Sequence, residues 1–346
     1  MAPPSRKAGS NRVSTDTFRI SDAGRTARFS VAPGLGCNLC SWVVDGTELL
    51  FVPDGFLEGA VAGDGTAHLG GGNPVLFPAV GRTWDLTSTP PQPEAYRITG
   101  RTGSYRMPMH GVAGLLEWNR ISNPPDQRQA AESGSSPSLV VEYEGRIHRE
   151  LREKHYPFDV GLRLKYGLTP DTVTVTTVVT NHESTPSPFA LGFHPYFRVS
   201  RKERIEVVLP CTTHVHLDSD LLIPNGETEA LRDPVLRFRD DQTYDMAFGN
   251  VSGDHALIRN ARTGLDIRVG IDRAVAMFVV YSGARTPFVC VEPWTRGLGG
   301  YTVRDADGEG ALDELEVLAP AETREITIRY TAIRAEGGCT EDTNGG

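Results

Sequence analysis

The chain has 346 residues, of which 39% are hydrophobic and 23% charged, and its formal net charge is −9. This composition is typical of a folded globular protein. Nucleic-acid binding depends on Lys and Arg contacts to phosphates, and the sequence has no basic run, so we expect no nucleic-acid partner.

The termini and the cysteines bear on where the protein works. The N-terminal stretch MAPPSRKAGSNRVS lacks the apolar core of a signal peptide, and no run of about 18 apolar residues could span a bilayer. The five cysteines are odd in number and scattered, which is unlike a disulfide scaffold; they are Cys37, Cys40, Cys211, Cys290 and Cys339. We therefore expect a cytoplasmic protein with no membrane partner.

Short segments rich in β-branched and aromatic residues recur between clusters of Gly, Pro, Asn and Asp, which predicts strands. In chain order they are TARFSVA (26–32), SLVVEYEG (138–145), FDVGLRLKYGL (158–168), TVTVTTVVTN (172–181), RIEVVLP (204–210), LDIRVGI (265–271), AMFVVYS (276–282), PFVCVEPW (287–294) and REITIRYTA (324–332). In the fourth segment Val173, Val175 and Val179 alternate with threonines, which indicates one apolar and one polar face. No long segment has helical apolar spacing, so helices should be few and short.

Low-complexity sequence is confined to three places, and no repeat of fixed period is present. Residues 1–15 and 333–346 are predicted to be disordered tails, and 123–138 a long surface loop. No linker separates two halves of different composition. We therefore expect residues 16–332 to form one all-β domain, a large antiparallel β-sandwich.

Four stretches place a group that can carry charge beside Gly, Pro or aromatic residues: Arg82 in 70–85, His110 in 107–114, His194 in 190–197 and Glu292 in 288–295. Taken singly, most have an ordinary explanation. His194 could be a core histidine bonded to a carbonyl, Arg82 a surface charge and His110 a turn residue. Glu292 is harder to explain, because Glu is almost never fully buried unless it is paired. Pro293, which follows it, predicts that the strand ends there.

Together the four groups fit a sugar site, in which a carboxylate and an imidazole act as complementary base and acid and a guanidinium holds oxygens. The stretches resemble the aldose 1-epimerase (mutarotase) family in order and spacing, through GGNPVLFP..GR, HG, GFHPYF and VEPW, with weaker similarity over 26–330. The resemblance implies a galactose mutarotase-like supersandwich and an isomerase that interconverts sugar anomers without cofactor or metal.

The resemblance also implies roles for residues. His194 corresponds to the family's general acid and Glu292 to its general base, while Arg82 and His110 correspond to substrate ligands. In YDMAF, Asp245 matches a further ligand, although Asp240 and Asp241 are close enough in sequence to be confused with it. Aromatic residues near these motifs are candidates for the pocket walls; they are Trp294, Phe193, Tyr196 and Trp84.

One departure from the family concerns the substrate. Many bacterial members, especially those that act on hexose 6-phosphates, read HGFAR where this chain reads HGVAG, so Gly114 replaces an arginine that could hold a phosphate. We therefore expect a free hexose such as glucose or galactose as the partner, and a monomer or homodimer. The alternatives are a hexose-6-phosphate 1-epimerase, a non-catalytic sugar-binding or sensing protein, and a glycosidase that uses Glu292 with Asp245.

Two patterns could indicate a metal. Cys37 and Cys40 form a CxxC motif within a predicted strand, but no second pair completes a zinc site. His214 and His216 would share one face of a strand, as metal-binding pairs can, yet the sequence shows no third ligand. We interpret both as structural and predict no metal.

Overall fold

The computed structural model describes residues 13–22, 24–59, 69–98, 101, 103–122, 138–199, 201–260, 264–305 and 314–334. Most of the two predicted tails and nearly all of the predicted loop at 123–138 lie outside these ranges. Within them, no helix has the length and apolar character needed to cross a membrane.

Strands dominate the described chain, and we number them in order. They are β1 (Asp16–Asp22), β2 (Arg25–Ala32), β3 (Asn38–Val44), β4 (Thr47–Glu48), β5 (Val75–Leu76), β6 (Trp84–Asp85), β7 (Gln92–Pro93), β8 (Ala95–Tyr96), β9 (Tyr105–Arg106), β10 (Asn119–Arg120), β11 (Leu139–Arg146), β12 (Val160–Leu168), β13 (Thr172–Asn181), β14 (Ser187–Phe189), β15 (Gly192–Phe193), β16 (Tyr196–Arg198), β17 (Ile205–Val208), β18 (Cys211–Leu217), β19 (Pro224–Ala230), β20 (Val235–Arg237), β21 (Tyr244–Val251), β22 (His255–Asn260), β23 (Leu265–Ile271), β24 (Met277–Ser282), β25 (Phe288–Trp294), β26 (Glu316–Leu318) and β27 (Thr323–Arg334). The helices are short, as predicted: α1 (Phe56–Gly59), α2 (Arg149–Lys154) and 3₁₀ turns at Pro33–Leu35, Ala113–Leu115 and Lys202–Arg204.

Two large sheets organise these strands. Nine of the described strands follow the order β10-β11-β12-β13-β27-β23-β22-β17-β20, and seven follow β19-β18-β21-β24-β25-β15-β5, with β16 as an eighth strand paired to β25. The pairings between these strands are antiparallel. A smaller sheet, β1-β2-β3-β4, and three two-stranded pairs complete the described architecture. The predicted all-β, antiparallel fold is confirmed, and all nine predicted strands match observed ones to within two residues.

The alternation predicted for β13 is present. Val173, Val175 and Val179 are fully buried, together with Thr177 on the same face, whereas Thr174, Thr176 and Thr180 lie on a half-exposed face. There Thr176 shares a hydrogen bond of 2.9 Å with Thr327 across the strand pair. Apolar burial on one face and hydroxyl pairs on the other explain why this strand holds its register.

One face of the eight-stranded sheet packs toward the nine-stranded sheet. Val289 and Val291 of β25 are fully buried, and Phe197 of β16, paired with Val289, contacts the ring of Tyr330 on β27 at 5.8 Å. Because side chains alternate along a strand, the residues between them point to the opposite face. Cys290, Glu292 and Trp294 therefore face away from the nine-stranded sheet.

The predicted strand end beside Glu292 is present, because β25 ends at Trp294, one residue beyond Pro293. On one side β25 keeps its pairing with β24 through Met277. On the other side its partner changes from β16, up to Cys290, to β15 at Trp294. Pro293 lies in this change of partner, where a missing N–H breaks no ladder bond on that side.

Candidate active site

A cavity of about 220 Å³ lies on the outer face of the eight-stranded sheet. It is smaller than the roughly 300–1,000 Å³ typical of pockets for drug-sized ligands, which suits a smaller molecule. Its lining combines apolar side chains with a few that can ionise; the residues are Leu69, Gly81, Arg82, Met109, His110, His194, Tyr196, Leu217, Leu222, Asp245, Val279, Tyr281, Glu292, Trp294 and Leu298.

Strand pairing builds the floor of this cavity. Asp245 on β21 lies directly across from Tyr281 on β24, and Val279, two residues earlier on β24, lies across from Glu292 on β25. Residues that oppose each other in an antiparallel pair share a face, as do residues two apart on one strand. Asp245 and Glu292 therefore face the same cavity although they lie 47 positions apart in the sequence.

The four motif stretches are hydrogen-bonded to one another around the cavity. The backbone N–H groups of His194 and Tyr196 donate to the carbonyls of Pro74 and Gly72 at 3.1 and 2.8 Å. The N–H of Thr295 donates to Leu191 at 2.8 Å. These backbone hydrogen bonds hold β25, which carries Glu292, and the segment around His194 in one fixed arrangement.

Glu292 is the most deeply buried ionisable group in the cavity, with 1% of its surface exposed. Burial raises the pKa of this carboxyl well above its ordinary value of 4.5, and the nearby Asp245 carboxylate raises it further. The indole N–H of Trp294 lies close enough to oppose the rise in pKa. Neither Glu292 oxygen, however, has a partner of good hydrogen-bond geometry among the described residues. A carboxylate held in this way is a strong proton acceptor.

His194 faces Glu292. Its Nε2 atom lies 3.3 Å from Oε1 of Glu292, and its side chain is 8% exposed. The imidazole stacks on the ring of Tyr196, with centroids 4.6 Å apart and planes inclined by 13°. An imidazole beside a carboxylate in a closed cavity can give and take protons, which is the arrangement that general acid–base catalysis requires.

His110 is oriented by the backbone of Gly81. The N–H of Gly81 donates to Nδ1 of His110 at 3.1 Å, and the N–H of His110 donates back to the Gly81 carbonyl at 2.9 Å. Because Nδ1 accepts a hydrogen bond, we infer that the neutral ring carries its proton on Nε2. His110 therefore offers a hydrogen-bond donor to an oxygen in the cavity.

The HG motif has a steric reason. His110 and Gly111 both have positive φ angles, +67° and +83°. A Cβ atom on Gly111 would lie 2.2 Å from the carbonyl oxygen of Phe77, so only glycine fits. This close approach lets the N–H of Val112 donate to Phe77 and anchors the loop that carries His110.

Arg82 and Asp245 lie at the exposed rim of the cavity. No hydrogen bond or ion pair joins the Arg82 guanidinium to another described residue. Partial burial raises the pKa of Asp245 above its ordinary value, and the positive charge of Arg82 opposes that rise. Asp241, the neighbouring candidate in sequence, instead pairs with Arg239 at 3.2 Å on the surface.

Two of the four aromatic wall candidates line the cavity. Trp294 packs over Gly192, where a Cβ would come within 2.4 Å of the indole, and Tyr196 lies under His194. The prediction is wrong for the other two. Phe193 points into the core with 1% exposure, because it follows Gly192 and so faces the opposite side of β15. Trp84 lies outside the lining, and its indole donates to the carbonyl of Leu221 at 2.9 Å.

Sequence reasoning missed several lining residues. Tyr281 and Val279 belong to the predicted strand at 276–282, whose alternation could have placed them together on one face. Leu217 ends β18 and Leu222 lies in the connection from β18 to β19, and no motif in the sequence marks them. Gly114 lies outside the lining, against Gly36.

The cavity and the CxxC motif both hold side chains that can bind metals. His194, Cys290 and Glu292 place one potential ligand atom each within 4.8 Å of one another. Burial and the Glu292 carboxylate raise the pKa of Cys290 well above its ordinary value, which disfavours the thiolate a metal needs. The CxxC thiols are also buried, and burial raises the pKa of Cys40 to about 12.

Solved structures of known proteins share this fold. A protein from Synechocystis sp. PCC 6803 superposes with a TM-score of 0.73 at 22% identity, covering 97% of this chain and all of that one. A galactose mutarotase-like protein from Lactobacillus casei superposes with a TM-score of 0.70 at 20% identity, covering 92% of this chain and all of that one. Galactose 1-epimerase from Lactobacillus acidophilus superposes with a TM-score of 0.65 at 13% identity, covering 93% of this chain and all of that one. The fold is that of the galactose mutarotase-like β-sandwich proteins.

The sequence itself establishes the family. The model of the aldose 1-epimerase family matches residues 16–331. An uncharacterized protein of Escherichia coli K12 is 34% identical over 98 residues, a segment that spans 28% of this chain and 27% of the relative. The chain belongs to the aldose 1-epimerase family.

Proposed function

We propose that the protein interconverts the α and β anomers of a free hexose, such as glucose or galactose. The observation that carries the proposal is the buried pair of His194 and Glu292, with Nε2 and Oε1 3.3 Å apart in a cavity of sugar-like size. Membership of the aldose 1-epimerase family supports the same reaction.

In the proposed mechanism, Glu292 takes the proton of the C1 hydroxyl while His194 gives a proton to the ring oxygen. The C1–O5 bond breaks and the C1 carbonyl forms, which opens the ring to the aldehyde. Rotation about C1–C2 presents the other face of the carbonyl. Reclosure returns the proton from Glu292 to the new C1 hydroxyl oxygen and the ring-oxygen proton to His194, so no atom is gained or lost.

The surroundings of Glu292 suit the role of base. A carboxylate whose pKa is raised toward that of its substrate accepts a proton more readily than one at its ordinary pKa. Burial and the Asp245 charge provide this increase for Glu292. His194, in contact with the same carboxylate, is positioned to supply the complementary proton.

Four further residues are proposed to hold the sugar. Arg82 and Asp245 at the rim offer donors and an acceptor to hydroxyl groups, and His110 offers its Nε2–H. The Trp294 indole provides a flat apolar face of the kind that packs on a sugar ring. Several directional contacts are needed because the open-chain sugar must reclose in the same position.

The charges around the cavity favour an uncharged sugar. Among the described lining residues, Arg82 is the one permanently cationic side chain, whereas Glu292 and Asp245 are both acidic. A phosphate dianion is usually held by several Arg or Lys donors. Gly114, the position at which the resemblance to hexose-6-phosphate members implies an arginine, supplies none.

Polarimetry on freshly dissolved α-D-glucose and α-D-galactose tests the proposal. We expect the wild type to speed the approach to the equilibrium rotation and Glu292→Gln to lose about 10²- to 10⁴-fold of this acceleration. Glu325→Gln, a change of the same kind at an exposed position on β27, is the matched control and should keep full activity.

Other results would replace the proposal. Acceleration only with glucose 6-phosphate would identify a phosphosugar epimerase. Sugar binding in calorimetry without any acceleration would indicate a sensor, and release of reducing ends from oligosaccharides would indicate a glycosidase. Equal rates for Glu292→Gln and the wild type would exclude Glu292 as the base.

A further inference from the structure

A second group of chemically active side chains lies away from the cavity, on strands β18 and β19. His214 and His216 alternate with Val215 along β18, and their rings lie 4.7 Å apart on one face. In the register of the sheet, Glu229 of β19 is directly opposite His214. The sequence showed the two histidines but could not show this third residue, which lies 13 positions after His216.

The three side chains converge on one point. Nδ1 of His214 lies 3.2 Å and Nε2 of His216 3.8 Å from the same Glu229 oxygen, Oε1. One potential ligand atom from each residue lies within 4.8 Å of the other two. A hydrogen bond explains the shorter distance, but 3.8 Å is beyond hydrogen-bond range. The hydrogen bond to His214 therefore does not explain why His216 also points at the same Glu229 oxygen.

The neighbourhood holds this cluster in place. His214 stacks on Phe248 of β21, with centroids 5.2 Å apart and planes inclined by 28°, and Phe248 belongs to the core face of the sheet. The cluster is thus on the opposite face from Asp245 and the cavity. A register shift between Val215 and Leu217 lies beside His216, where β18 and β19 part from regular pairing.

We propose that His214, His216 and Glu229 bind a divalent transition-metal ion of the zinc type, with water completing the coordination. Two imidazoles and one carboxylate form a recognised zinc ligand set, and imidazole favours zinc over magnesium. Bonds of about 2.0–2.2 Å in a tetrahedral site place ligand atoms roughly 3.3 Å apart. The His214–Glu229 distance already meets this, and a small rotation of the half-exposed His216 brings the third atom into range.

Such a site would join β18 to the edge strand β19. Leu217 at the end of β18 and Leu222 in the connection to β19 line the cavity, and β19 itself is largely exposed. Binding to the folded protein alone stabilises it by mass action. Zinc should therefore raise the unfolding temperature and slow hydrogen exchange in Cys211–Leu217 and Pro224–Ala230.

Calorimetric titration of the tag-free protein with ZnCl₂ tests the proposal, with MgCl₂ as the comparison cation. We expect one zinc event that is weakened at least about tenfold in His216→Gln, since even losing an outer-sphere partner costs about 10- to 100-fold. His255→Gln is the matched control, because His255 is also an exposed histidine bonded to a carboxylate, Asp254, at 2.6 Å, but has no third ligand within the described residues. It should bind zinc like the wild type.

Two outcomes would overturn the proposal. Zinc binding of equal strength in His216→Gln and the wild type would assign the ion to another group, such as the cavity trio of His194, Cys290 and Glu292. No zinc binding to the wild type at concentrations up to about 100 μM would mean that no site of useful affinity forms. Circular dichroism of each variant establishes that its fold is intact, and hydrogen exchange with and without zinc locates the bound ion on β18 and β19.

Discussion

The imidazole of His194 lies flat on the phenol ring of Tyr196, with ring centroids 4.6 Å apart. The Tyr196 hydroxyl accepts a hydrogen bond from the N–H of Gly70 at 3.1 Å. Glu292 lies at the edge of the imidazole, beside Nε2. His194 is thereby held between a ring face and a carboxylate before any substrate arrives. Tyr196 is best regarded as a positioning residue for the proposed acid.

Substitution at Tyr196 should separate ring stacking from the hydroxyl. Tyr196→Phe keeps the flat ring and loses one hydrogen bond worth about 1 kcal/mol, so kcat should stay close to wild type. Tyr196→Leu keeps apolar volume without the flat face, and kcat should fall by about 10²-fold, the usual cost of an ångström of misplacement. Equal kcat values for the two variants in polarimetry would show that stacking has no role.

Glu292→Gln should stabilise the fold while it removes activity. A carboxyl whose pKa is raised on folding destabilises the folded state above its ordinary pKa of 4.5, and this destabilisation grows as pH rises through the raised pKa. Each pKa unit corresponds to about 1.4 kcal/mol. The variant should therefore unfold at a temperature at least about 2 °C higher than the wild type at pH 7.

The pH dependence provides the check on that explanation. Near pH 4 the carboxyl is protonated in both the folded and the unfolded state, so the two proteins should have nearly equal unfolding temperatures. Thermal unfolding from pH 4 to pH 8 measures the difference. A variant that is less stable than the wild type at pH 7 would show that ionised Glu292 stabilises the fold.

Asp245→Asn should move the pH–rate profile. The Asp245 charge helps to raise the pKa of Glu292, so its removal lowers that pKa. The proposed base must be ionised, and activity therefore rises with pH through this pKa. The acid limb of kcat/KM, which reports the free enzyme, should shift to lower pH. Asp254→Asn, an exposed carboxylate outside the cavity lining, should leave the limb where it is.

Arg82→Ala should affect substrate binding without affecting folding. The guanidinium is exposed and is bound to no other described residue, so unfolding free energy should change by less than about 0.5 kcal/mol. A lost charge-assisted hydrogen bond of about 1.5–3 kcal/mol should lower kcat/KM by roughly 10- to 100-fold, mainly through KM. Arg82→Lys keeps the charge but not the planar guanidinium, and we expect it to restore only part of the lost kcat/KM. An unchanged KM in Arg82→Ala would remove Arg82 from the proposed binding site.

Gly111→Ala should destabilise the protein more than Gly46→Ala. Both glycines have φ near +80°, so both variants incur the strain of a left-handed conformation, about 1 kcal/mol. A Cβ on Gly46 meets nothing within 4 Å, whereas one on Gly111 meets the Phe77 carbonyl at 2.2 Å. Denaturant unfolding should show an additional loss of about 1–3 kcal/mol or more for Gly111→Ala. Equal losses would mean that the loop beside His110 moves freely.

Much of the fold follows from local sequence. Alternating apolar residues predict a strand wherever they occur, and the segments 172–181 and 265–271 coincide with β13 and β23. The spacing along β25 also separates Val289 and Val291, which face the core, from Glu292. These features depend on side chains one or two residues apart, so the sequence alone determines them.

The motifs likewise identified the family and four groups that line the cavity. Arg82, His110, His194 and Glu292 all line it, as the resemblance implied. The glycine of the HG motif is required by its neighbours, because a Cβ on Gly111 would clash with the Phe77 carbonyl. Their proposed roles in catalysis and binding remain predictions for the experiments above.

Only the tertiary structure decided which residues face one another across strands. It placed Asp245, rather than Asp241, beside Tyr281, and it brought Glu229 to the two histidines of β18. It also turned Phe193 into the core, one residue from the cavity face. The physical reason is that sheet order and register bring together residues distant in sequence, and a shift of one residue moves every side chain to the other face.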